Sequence, residues 1–245
     1  MKINLEKFFT NKMKALLVKE IRSYFNSPIA YIVIGIFLLI SGWFFTSSLF
    51  LIGQSSLLSF LNIVPLILTF FVPAVTMRLF SEELRMGTVE VLTTLPLKDN
   101  EIVFAKYAAS IFVIKVSIAL TLIFPLTLLL IGKIDPGEIL CSYIALVCLS
   151  SAYAAIGLFT SSITKNQIIA FITSFIICFM LFLAGKTIAL APSGLVNLLD
   201  YIGMDSHFNN MMRGVIDTRD VIYFGSIIVF FYILTLSWFS TRKWK

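Results

Sequence analysis

The chain has 245 residues, of which 59% are hydrophobic and only 13% charged, with a mean hydropathy of +0.97. Soluble domains carry about 45–50% apolar and about 25% charged residues, so a soluble globular fold is excluded. The same numbers exclude disorder, and 12 Gly and 3 Cys exclude collagen-like and disulfide-scaffold classes. This is the composition of an integral membrane protein.

From the N-terminus, residues 13–27 read as an amphipathic helix. Leu16, Leu17, Ile21, Tyr24 and Phe25 recur at helical spacing, while Lys14, Lys19 and Arg22 fall elsewhere on the wheel. Such a helix suits the membrane interface, apolar face down and basic side chains toward headgroups. Ser27 as N-cap and Pro28 in the first turn then start a new helix, so an elbow is expected there. The apolar run that follows is too long for a signal-peptide core and lacks a small-residue cleavage site, so it reads as a retained anchor. Met13 is an alternative start.

A crossing helix needs about 20 apolar residues. Windows of that size predict six spans, at about 29–52, 58–80, 102–131, 139–163, 167–190 and 221–240. Residues 1–28 and 241–245 flank this six-span domain. The expected fold is an all-α membrane protein, since a barrel would show short alternating segments. Pro65 and Pro73 in the second span and Pro125 in the third should kink them and free carbonyls that need other partners. Ser150, Ser151, Ala152, Ala154, Ala155 and Gly157 make the fourth span narrow, suited to the bundle interior or a dimer seam.

The distribution of Lys and Arg sets the orientation. With the N-terminus cytoplasmic, 14 of the 19 basic residues flank the inner side and Lys133, Lys186, Arg213 and Arg219 the outer. Both termini are therefore placed in the cytoplasm. The net charge of +6 is explained by anionic headgroups, with no nucleic-acid partner. Lys115 stands alone deep inside a span and reads either as the lining of a water-filled cavity or as a snorkelling side chain.

Catalytic patterns are missing. The single histidine, His207, lies in the external stretch Ala191–Asp220 beside Asp205 and makes no metal site alone. Cys141, Cys148 and Cys178 read as buried free thiols. Gly185-Lys186-Thr187 resembles the end of a phosphate loop, but that motif needs glycine where Met180 stands. No cofactor site is expected on this chain. All 13 acidic residues fall in flanks or loops, which disfavours an ion-driven secondary transporter.

Residues 78–101, RLFSEELRMGTVEVLTTLPLKDNE, carry the most information. Ser81 can cap a short helix whose first turn holds Glu82 and Glu83. Gly87 allows a bend, and Thr88 can cap a second short helix ending near Leu95, before Pro96. The segment either covers the inner surface of the bundle or inserts into a soluble subunit.

The stretch FVPAVTMRLFSEELRMGTVEVLTTLPL resembles the second span and cytoplasmic helix of ABC-2 type permeases, membrane subunits of ATP-binding-cassette exporters. The match rests on Glu82, Glu83, Gly87, Thr88, Glu90 and Pro96. KEIRSYFNSPIAYIVIG at 19–35 resembles that family's elbow and first span. SSITKNQIIAF at 161–171 and HFNNMMRGVIDTRDVIYF at 207–224 are similar to its gliding-motility-associated subgroup. The resemblance spans nearly the whole chain beyond the first dozen residues.

It implies one half of a transmembrane pathway, paired with a second permease copy or paralogue and with an ATPase subunit that binds ATP and magnesium. Docking of that subunit falls to Glu82, Glu83, Arg85, Gly87, Thr88, Glu90 and Leu92. The elbow uses Lys19, Arg22, Ser27 and Pro28. Lys115, His207 and Arg213 are candidates for pathway or gate, and re-entrant helices are expected between spans five and six. The implied location is a bacterial inner membrane. A membrane scaffold of a motility or secretion machine, without transport, is the competing reading from another class.

Overall fold

The computed structural model describes residues 2–51, 58–90, 97–131, 136–187 and 193–242. Among these there is no strand. Helix α1 (Lys2–Phe25) meets α2 (Pro28–Leu51) at a two-residue break, where Asn26 N–H still bonds the Arg22 carbonyl. Then come α3 (Leu58–Thr76), α4 (Ser81–Met86), α5 (Asp99–Leu120), α6 (Ile123–Ile131) and α7 (Pro136–Ile163). The chain continues with α8 (Gln167–Lys186), α9 (Ser193–Ile202), α10 (Met204–Met212) and α11 (Thr218–Arg242).

Six segments are long and apolar enough to cross a bilayer: α2, α3 with α4, α5 with α6, α7, α8 and α11. The expected outer ends of the first and fifth spans, like Leu92 and most of the second short helix after Thr88, extend into residues outside those described.

One of these spans is interrupted near a proline, and α3 is not. The third breaks at Thr121–Leu122, one turn before Pro125, which has no N–H to give the Thr121 carbonyl. That carbonyl accepts instead from the Phe124 N–H at 3.0 Å and from the Tyr143 hydroxyl of α7, also at 3.0 Å. Pro65 and Pro73 both sit inside α3.

Helix α7 occupies the centre, touching α3, α5, α8, α10 and α11. Its small residues make this possible: a Cβ on Gly157 would stand 1.9 Å from the Thr76 hydroxyl oxygen of α3. Tyr107 of α5 donates to the Ser151 carbonyl of α7 at 2.9 Å, pinning the third span to the fourth.

Two expectations need correction. The apolar stripe of α1 does not lie on lipid: Leu16 is buried, Leu17, Tyr24 and Phe25 pack against the core, and α5 covers this side. An amphipathic helix buries its apolar face against whichever apolar surface is nearest, and here that surface is the bundle. The exposed side carries Lys14, Lys19 and Arg22. Ser81 is also not a cap. Phe80 holds that position, and the Ser81 hydroxyl turns back to the Met77 carbonyl, a bond a helix-interior serine makes readily.

Candidate functional site

The four-residue turn 77–80 joins α3 to α4, and α4 packs against α7 and α8. From it Glu83 reaches Lys106 of α5, its Oε1 2.7 Å from Nζ. The same ammonium lies 3.3 Å from Glu20 of α1 and 5.3 Å from the ring centre of Phe80. Lys106 is only 1% exposed. Three elements far apart in sequence thus converge on one buried cation.

The partners suit a buried ammonium, which must be hydrogen-bonded to be tolerated. Two carboxylates face one ammonium, and Lys19 reaches Glu20 only at 3.7 Å from an exposed position. Glu83 Oε2 is buried and has no hydrogen-bond partner among the described residues.

Arg78 adds a second clasp. Its Nε donates to Glu82 at 2.9 Å and its Nη1 to the Ser27 hydroxyl at 3.1 Å, joining the elbow to α4. Tyr24 donates to the Val75 carbonyl at 2.9 Å. Burial, helped by Glu20, holds that phenol well above its ordinary range, so it stays a donor.

Helix α4 ends at Gly87, whose φ of +72° is the left-handed conformation glycine adopts freely. Its N–H and that of Thr88 both point to the Glu83 carbonyl. Arg85, Thr88 and Glu90 are exposed. Of the residues read from sequence, the structure brings Glu82, Glu83, Lys19 and Ser27 into this cluster, Pro28 opens α2, and Arg22 faces outward. Glu20, Arg78 and Lys106 were missed. Lys106 gave one faint signal, being charged four residues inside the third span.

The other candidates lie elsewhere. Lys115 is exposed on the outer side of α5, and Arg213 is exposed after α10. His207 of α10 bonds Asp220 at 2.6 Å through Nδ1, stacks on Tyr223 with centroids 3.9 Å apart, and has Nε2 3.2 Å from the Tyr201 carbonyl. Beside it, Lys186 of α8 meets Asp205 at 3.1 Å, and Asn209 donates to the same carboxylate at 2.8 Å. Burial pushes the Asp205 carboxyl above its ordinary value, with Lys186 and Asn209 opposing the shift. Gly185 and Gly203 let α8 and the α9–α10 corner touch: a Cβ on Gly203 would fall 2.5 Å from the Gly185 backbone. The Gly185-Lys186 pair is thus occupied in helix contact.

Among the described residues no group of three His, Cys, Asp or Glu side chains is arranged to hold a metal. What the fold and the cluster define is a multi-pass helical membrane protein whose short helix α4 is tied by buried charge to α1 and α5. The family model described as ABC-2 family transporter protein matches residues 5–244, and the chain belongs to that family. Its members are membrane components of transporters, normally working with an ATP-binding subunit. A search of the curated proteins finds no significant match.

Proposed function

We propose that this chain is the permease subunit of an ABC exporter, moving substrate across a bacterial inner membrane by alternating access, with both termini in the cytoplasm. Residues 1–28 form the N-terminal segment and elbow, 29–240 the six-span domain and 81–90 the start of the docking segment for the ATPase. ATP and magnesium bind that partner. A second permease copy or a paralogue completes the pathway. The resemblance at 161–171 and 207–224 supports the gliding-associated subgroup.

One observation carries this reading. Lys106 fastens α4 to α1 and α5, and Arg78, in the turn that joins α3 to α4, fastens it to Ser27 at the elbow, so force applied at α4 is delivered to the elbow and the third span together. A loose connecting segment would absorb it. Reconstitution with the ATPase encoded beside this chain tests the proposal: vesicles accumulate substrate on ATP addition. A stable complex of the pair without ATP-dependent movement of any cargo would instead favour a scaffold.

A further inference from the structure

His207 is the one histidine of the chain, and both of its ring nitrogens face acceptors. Nδ1 lies 2.6 Å from an Asp220 carboxylate oxygen, and Nε2 lies 3.2 Å from the Tyr201 carbonyl. A neutral imidazole has one N–H and serves only one of them, whereas the imidazolium has two and serves both. Three features of the surroundings favour the extra proton. Asp220 is buried in the first turn of α11, where the helix dipole favours negative charge. Its Oδ2 has no hydrogen-bond partner among the described residues, so compensation of the carboxylate falls to the ring. The face of Tyr223 stacks on that ring with planes 19° apart, an arrangement that suits a cation.

These contacts stitch three elements together. His207 stands on α10, Asp220 and Tyr223 on α11, and Tyr201 on α9. The Tyr223 hydroxyl donates to the Ile202 carbonyl, a second tie from α11 to α9. Other titratable groups around α10 are engaged elsewhere or turned to solvent. Asp205, on α10 itself, pairs with Lys186 of α8. Tyr153 of α7 is fully buried beside Asp205 and Tyr223, and Glu138 of the same helix lies near Gly214, beyond the end of α10. The side chains of Asp200 and Tyr201 on α9 and of Arg219 on α11 are exposed.

We propose that His207 and Asp220 form a proton-binding latch. With both ring nitrogens protonated, α10 is held to α9 and α11 at once, and loss of one proton releases one of the two ties. The latch lies within one chain and stands apart from the exporter reading. The test uses the full-length protein in detergent at about pH 5.5 and about pH 8, across the range in which histidine ordinarily titrates. Selective 15N-histidine labelling gives a single imidazole, expected to carry protons on both nitrogens at the lower pH and on one at the higher. Hydrogen exchange of residues 200–212, each rate divided by the free-peptide rate at the same pH, should be about fivefold slower at the lower pH, the effect of one hydrogen bond. His207→Gln should lose this difference, and Asp205→Asn should keep it. A ring that stays neutral at the lower pH, or equal protection at both, overturns the proposal. So does a pH difference that survives in a folded His207→Gln variant or vanishes in Asp205→Asn.

Discussion

Glu83 and Lys106 stand 2.7 Å apart, and this contact joins the short helix α4 to the third span at a point where Lys106 has almost no access to solvent. Removing one partner of such a pair leaves an uncompensated buried charge, at a cost of about 3–5 kcal/mol, whereas replacing the whole set with neutral groups is often nearly neutral. Lys106→Met should therefore lower the melting temperature sharply, measured in detergent. The triple variant Lys106→Met, Glu20→Gln, Glu83→Gln should regain most of that loss. If the triad transmits force, the triple variant still fails to couple ATP hydrolysis to transport. Full coupling in that variant would remove the triad from the mechanism.

The end of α4 gives a backbone prediction. Nothing lies within 4 Å of a Cβ built on Gly87, so its φ of +72° alone sets the cost of substitution. A left-handed conformation costs an ordinary L-residue about 1–2 kcal/mol, with Asn excepted. Gly87→Asn should thus be tolerated better than Gly87→Ala, and Gly87→Val least, in both melting temperature and coupled ATPase rate. Gly87→Pro cannot adopt this φ and loses the N–H that reaches the Glu83 carbonyl, so it should uncouple while still inserting. Glu83→Lys should do the same by placing two ammonium groups together. Unchanged co-purification and substrate-stimulated ATPase in both variants would remove the docking role from this segment.

The six spans were legible because bilayer thickness imposes a length on apolar runs, and nothing in tertiary structure can override it. The small residues of α7 likewise announced close packing, and Gly87 announced a bend. The buried triad was not legible. Glu20, Glu83 and Lys106 are separated by 23 and 86 positions, and no local period links a carboxylate in one helix to an ammonium in another. The orientation of α1 failed for a similar reason, since an apolar stripe does not record whether lipid or protein will cover it.

Gly157 carries a packing prediction of the opposite kind from Gly87. Its conformation is ordinary helix, but a Cβ there would meet the Thr76 hydroxyl at 1.9 Å and the Thr76 Cβ at 2.7 Å. Overpacking of this kind costs about 1–3 kcal/mol, so Gly157→Ala should destabilise although alanine is the better helix former. Moving the space to the other helix should help: Gly157→Ala with Thr76→Gly is expected to recover part of the loss. Thermal melts of the single and double variants give the comparison, and additive losses would show that the two helices do not meet there.

Asp205 yields a pH dependence with a definite sign. Its side chain is 4% exposed, and burial raises its pKa above the ordinary 3.8 despite the help of Lys186 and Asn209. A carboxyl whose pKa is higher in the folded protein favours folding fully below the unfolded value, and this contribution fades as pH rises through the folded one. The wild type should therefore lose stability relative to Asp205→Asn as pH is raised from below 4 toward neutrality. Lys186→Gln removes the nearest compensating charge, so its loss over the same interval should be larger and extend to higher pH. Melting curves of the three proteins across that interval decide the point. A wild type that gained stability on Asp205→Asn as pH rose would mean that the Lys186 pair, and not burial, governs this carboxylate.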